Sequence, residues 1–188
     1  TTTPTVWKSI SQLNPTGSGS QSDAAIIDIG QGRYVAVWTE AAGGPIAEDL
    51  FYPGSDLVAQ IFDAEGTPIG AEFAVNYSRN VDDEQDAALA PRVGGGFAVV
   101  YEDTDILGTS IAIDFFDING IHQTGSTVTD DVSSDTLANP SIAMNANGSY
   151  LVTYERSDNA GDTDIVGRIF TEGGVIGSEF VIFDQDDD

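Results

Sequence analysis

The residues best suited to chemistry are oxygen donors on short loops. The segment Ser157-Asp158-Asn159-Ala160-Gly161-Asp162-Thr163-Asp164 places Asp158, Asn159, Asp162 and Asp164 within seven residues, around a glycine that lets the chain curl. Calcium takes about six to eight oxygen ligands, and carboxylates and amides at this spacing supply them. A shorter analogue, Glu102-Asp103-Thr104-Asp105, adds Asp103 and Asp105. The order of residues does not match an EF-hand loop, which ends on a Glu at its twelfth position. Ca2+ is therefore the ion expected at these six residues, and a solvated acidic hairpin is the competing reading.

Aromatic side chains offer a second kind of site. Phe51 and Tyr52 lie in Ala41–Gly54, a stretch punctuated by Gly43, Gly44, Pro45, Pro53 and Gly54. Rings displayed on such a loop can stack on sugars, so Phe51 and Tyr52 are the ligand-binding candidates. A tolerated surface insertion is the plainer reading of this loop. Trp7 is a further exposed-ring candidate, with core or interface packing as its equal alternative.

Catalysis finds little support. His122 is the sole histidine. Serine-type hydrolysis needs a histidine oriented by an acid beside a nucleophile. The other copies of its segment have Pro68 and Ile176 at this place, so His122 reads as a turn residue. Paired carboxylates suited to glycoside hydrolysis stay open, because acids are abundant, but no pair is singled out. No catalytic residue is assigned.

Composition excludes several partners. Against 31 acidic residues stand 6 basic ones, a formal net charge of −25. Phosphate backbones and anionic membrane surfaces both need clustered Lys and Arg. No apolar run is long enough to span a bilayer. The chain has no Cys, which removes disulfides and thiolate metal sites. Yet this is not the composition of a disordered acidic tail, since Val, Ile and aromatic residues gather in short clusters between glycines.

Those clusters repeat. Gly32-Arg33-Tyr34-Val35-Ala36-Val37-Trp38, Gly96-Phe97-Ala98-Val99-Val100-Tyr101 and Gly148-Ser149-Tyr150-Leu151-Val152-Thr153-Tyr154 share a glycine turn and two aromatics four residues apart. A side-chain period of two puts both rings on one face of a strand. Downstream, Phe62, Phe116 and Phe170 recur at intervals of 54 residues, as do Gly66, Gly120 and Gly174. Asp63 and Asp117 precede tight turns that an Asx side chain can brace. A third unit begins at Gly70, Gly125 and Gly177. The fourth and loosest precedes each aromatic strand, at Gln21, Gln85 and Asn139.

Each repeat thus predicts four short antiparallel strands. The fold expected is all-β: three four-stranded, β-propeller-like blades over approximately 15–76, 77–130 and 131–183, plus one extra N-terminal strand over 5–14. A flatter stack or a sandwich of the same strands is the alternative. An open row of three blades leaves two terminal faces uncovered. Self-association, or further repeats of the same protein, is therefore the partner expected.

The run Gly-Gly-Phe-Ala-Val-Val-Tyr-Glu over 95–102, with the Phe-Asp and Gly turn units that follow, resembles tandem repeats of large secreted bacterial proteins of the RTX-type, haemolysin-like calcium-binding and adhesin-like kinds. The resemblance spans nearly the whole chain as a repeat pattern. It implies an extracellular or cell-surface bacterial location. The chain lacks the Gly-Gly-x-Gly-x-Asp nonapeptide, so the calcium sites of that motif do not carry over. The function expected is a non-catalytic, cation-stabilised structural or binding module within a larger assembly. A carbohydrate-binding propeller facing cell-surface polysaccharide is the first alternative, and a secreted polysaccharide hydrolase the second. Neither nucleic-acid binding nor membrane insertion is expected.

Overall fold

Alternating apolar residues bounded by glycine turns form twelve strands in a computed structural model, which describes residues 19–41, 54–76, 83–105, 108–129, 135–158 and 160–184. In chain order the strands are β1 Gln21–Gly30, β2 Arg33–Glu40, β3 Asp56–Phe62, β4 Pro68–Ala74, β5 Asp83–Pro91, β6 Phe97–Asp105, β7 Gly108–Phe116, β8 His122–Thr127, β9 Thr136–Met144, β10 Tyr150–Ser157, β11 Thr163–Thr171 and β12 Gly174–Phe183. They form three four-stranded antiparallel sheets, β1-β2-β3-β4, β5-β6-β7-β8 and β9-β10-β11-β12, each in sequence order. No helix occurs among the described residues. The fold is all-β and propeller-like, as the repeats predict. The proposed strand over 5–14 and the loop bearing Phe51 and Tyr52 lie outside the described residues, as does Trp7.

The sheets stack face to face through two apolar layers. Val35, Val37, Leu57, Ala59 and Ile61 of the first blade meet Phe97, Val99, Tyr101, Ala112 and Phe116 of the second. Ala98, Val100, Ile111, Ile113 and Phe115 on the second blade's other face meet Tyr150, Val152, Tyr154, Val166 and Phe170 of the third. The period-two alternation of one strand therefore serves two different layers. This is why β6 is buried at nearly every position while β12 is exposed at most of its own.

The turns behave as their residue types require. Asp63 Oδ1 accepts the backbone N–H groups of Glu65 and Thr67, and Asp117 Oδ1 those of Asn119 and Ile121. Both are the Asx braces expected from sequence. At Gly96 (φ +104°) an added Cβ would stand 2.2 Å from the carbonyl oxygen of Phe116, so only glycine lets the two backbones approach.

The inner strands carry a feature that corrects the alignment of the fourth unit. Asp23, Asp86 and Asn139 each adopt a φ of 53°, beside a register shift between the first two strands of their blade. An Asx residue tolerates this left-handed conformation better than most, and it makes a β-bulge here. Asn139 therefore matches Asp23 and Asp86, not Gln21 and Gln85.

The terminal faces differ. On the first blade, Ala36, Trp38, Val58 and Phe62 form a buried cluster on the face turned away from the second blade. On the third, the corresponding open face exposes Leu151, Ile169, Phe180 and Ile182. The expectation of two uncovered faces holds at the third blade, whereas on the first Ile26 and Tyr34 are exposed beside the buried cluster.

Candidate metal centre

The turn between β10 and β11 is shaped first by Asp158. Its Oδ1 accepts the N–H groups of Ala160 and Asp162, at 2.8 and 3.0 Å, and its own N–H donates to the Asp162 carbonyl. This is the same Asx geometry found at Asp63 and Asp117. It orients Asp162 and, two residues on, Asp164. Beside them the chain emerging from β12 brings Asp184, and one carboxylate oxygen from each of the three acids lies within 4.8 Å of the others. These three residues could hold a metal ion.

The electrostatics around the cluster are partly settled by Arg156. Its Nη2 donates to Asp164 Oδ2 at 2.9 Å, and its Nη1 donates to Glu179, which also accepts the Tyr154 hydroxyl. These charged partners raise the Arg156 pKa further, led by the hydrogen bond to Asp164. Burial, then the bond to Glu179, pushes the Tyr154 phenol well above its usual range. Asp164 Oδ1 is buried and accepts no hydrogen bond.

Of the six metal candidates from sequence, Asp162 and Asp164 come together. Asp158 braces the turn, and Asn159 lies outside the described residues. Asp103 and Asp105 sit on a different blade, at the end of β6. Asp103 Oδ2 accepts the Ser110 hydroxyl, and Asp105 Oδ1 accepts the Gly108 N–H. Asp184 directly follows β12. Nothing in its spacing from Asp162 shows that β12 returns it to the β10–β11 turn.

Two buried polar groups were less legible. Asp114 is fully buried in β7, accepts the Tyr101 hydroxyl at 2.8 Å, and lies 2.7 Å from His122 Nε2. His122 is thus the first residue of β8 and is bound to a buried acid, where sequence suggested a plain turn residue. Burial, followed by the Asp114 charge, drives the Tyr101 phenol far above its usual range. Glu84, opposite Asp103 in the β5–β6 register, is fully buried. Desolvation first, then the charges of Asp56 and Asp103, pushes its carboxyl up to about 9.

No protein-family model and no curated protein matches the chain. Among solved structures it is similar to one described as a thermostable family-43 glycoside hydrolase, at 13% identity and a TM-score of 0.56. The match covers 88% of this chain and 60% of the other, so the chain spans about three fifths of that structure's length. At this identity the likeness shows a shared arrangement of sheets.

Proposed function

We propose that the chain is a non-catalytic binding module of a secreted or cell-surface bacterial protein, stabilised by Ca2+ and working in contact with further sheets of its own kind. The observation that supports this best is the open face of the third blade. Ile182 there is 50% exposed and Ile169 38%, whereas Phe115, at the matching position of the second blade, is buried under its neighbour. Contiguous apolar surface of this kind marks an interface. A polar contact has the same logic. Glu102 of the second blade accepts the backbone N–H of Asn139 in the third blade's bulge, at 2.7 Å. Glu155 follows Tyr154 as Glu102 follows Tyr101, so it is placed for the bulge of a following sheet. The occupant is another repeat of this type, from the same protein or from a second copy.

Calcium is the natural ion for Asp162, Asp164 and Asp184, because the donors are all hard oxygens and the chain is strongly anionic. Multi-angle light scattering with calcium, together with binding of a hydrophobic dye, tests the reading. Association or dye binding is expected, and Ile169→Asp with Ile182→Asp abolishes it. A monomer that binds no dye overturns it.

A carbohydrate-binding role is the second reading, favoured by the likeness to a structure described as a glycoside hydrolase. Sugar binding on a glycan array, lost when Phe51 and Tyr52 become Ala, would decide for it. A secreted hydrolase would require polymer turnover that persists through purification.

A further inference from the structure

Phe73 of β4 fills the gap between the outer strands of the first two blades. It stands opposite Ala59 in the β3–β4 register, and with Ile118 it packs against the apolar layer of that junction. Its ring lies 6.1 Å from that of Phe116, tilted by 50°. It also reaches the turn between β7 and β8, where a Cβ added at Gly120 would stand 2.6 Å from the Phe73 ring.

The second junction has the same frame without that ring. Tyr34, Phe97 and Tyr150 pair with Phe62, Phe116 and Phe170, so Ala59 corresponds to Ile113. Ser126 stands opposite Ile113 and therefore takes the place of Phe73. Gly174 takes the place of Gly120, and a Cβ added there meets nothing within 4 Å. Between the blades lies an open groove of about 200 Å³, lined by Ile113, Phe115 and Ser126 of the second and by Phe170, Glu172 and Gly174 of the third. A cavity of roughly 150 Å³ is enough for one benzene-sized ring. Glu172 stands where the first junction has Ile118, and it is fixed by two hydrogen bonds from Arg92, at 2.6 and 2.7 Å. Thr124, Ser126 and Thr171 bring hydroxyl-bearing side chains to the same groove. Apolar walls with a few placed polar groups are the make-up of a small-molecule site.

We propose that this groove binds a small molecule carrying one hydroxylated aromatic ring, a simple phenol in chemical class. The ring takes the position that Phe73 takes at the first junction, with Phe170 in the part of Phe116. A phenol joins an apolar ring to a polar handle that seeks a hydrogen-bond partner when buried. The Thr124, Ser126 and Thr171 side chains supply such partners, which separates this ligand from a plain hydrocarbon. The inference goes beyond the assembly reading and does not rest on it, because the groove lies between the second and third blades, on the side of the third that is already covered.

Saturation-transfer NMR with phenol tests the site on the wild type, Ser126→Phe and Ile182→Asp. Ser126→Phe gives the second blade the residue that the first blade has at this place, whereas Ile182→Asp alters the open apolar face. Transfer to the phenol ring protons is expected in the wild type and in Ile182→Asp, and its loss is expected in Ser126→Phe. The amide shifts of Ser126 and Gly174 in the wild type are expected to move as phenol is titrated, which locates the site where Ser126→Phe perturbs folding. No transfer to phenol, equal transfer in Ser126→Phe, or shifts confined to Leu151 and Ile169 on the open face would overturn the proposal. Transfer to methyl glucoside alone would give the groove to a sugar and overturn the aromatic assignment.

Discussion

At the scale of single residues, Glu84 and Glu102 show how one residue type serves opposite ends. Glu84 has an ordinary value of 4.5, and burial pushes it up to about 9 in the folded chain. Below the lower value it is protonated in both states and contributes no pH dependence. Between the two, the unfolded state ionises while the folded state stays protonated, so stability falls as pH rises toward about 9. Glu84→Gln removes this loss. Urea denaturation is expected to show the variant gaining about 1–3 kcal/mol on the wild type between pH 5 and pH 8. Burial raises the Glu102 carboxyl as well, but there the Asn139 N–H and the Gln85 amide oppose the shift. Glu102→Ala leaves the part-buried Asn139 N–H without that acceptor. A destabilisation of about 1–3 kcal/mol is expected in the same assay.

At the scale of elements, turns and bulges set how closely the strands approach. Gly96→Ala is expected to cost about 2–4 kcal/mol, because the new Cβ meets the Phe116 carbonyl and a residue with a side chain is strained at φ +104°. Gly66→Ala has only the strain, as nothing lies within 4 Å of its added Cβ. Thermal unfolding of the pair separates contact from conformation. These elements were legible in the sequence to the extent that local chemistry creates them. The strand count, the paired aromatics of β2, β6 and β10, and the braces at Asp63 and Asp117 all follow from short spacings. The bulge was readable too, as an Asx residue recurring at Asp23, Asp86 and Asn139, but the preceding Gln was the more conspicuous guide and shifted the match. The metal cluster was half legible. Asp162 and Asp164 share a turn, whereas Asp184 joins them only through the return of β12. The surroundings of Glu84 were hidden for the same reason, since Asp56, Asn76 and Glu84 come from separated segments and meet only when two blades stack.

At the scale of the whole molecule, one repeated strand pattern produces three environments. The middle blade is covered on both faces, the first blade's outer face is buried at Ala36, Trp38, Val58 and Phe62, and the third blade's outer face is open. Position in the row, not sequence, decides what a given isoleucine or phenylalanine contributes. Phe115 and Ile169 occupy the same place in β7 and β11, yet Phe115 is 2% exposed and Ile169 38%. Phe115→Asp puts a charge into the apolar layer between the second and third blades. It also removes the ring that meets Tyr150 edge-on at 5.2 Å. A loss of about 3–5 kcal/mol is expected, enough to unfold a marginally stable chain. Ile169→Asp places its charge on open surface, so the isolated chain should change by less than about 1 kcal/mol. The ranking reverses for assembly. If another sheet covers the third blade, Ile169→Asp puts an unpaired charge into that interface and dissociates it, while stability of the separate chain is kept. Urea denaturation and light scattering on the same two proteins check both halves, and a large stability loss from Ile169→Asp in the monomer would show that this face is already covered.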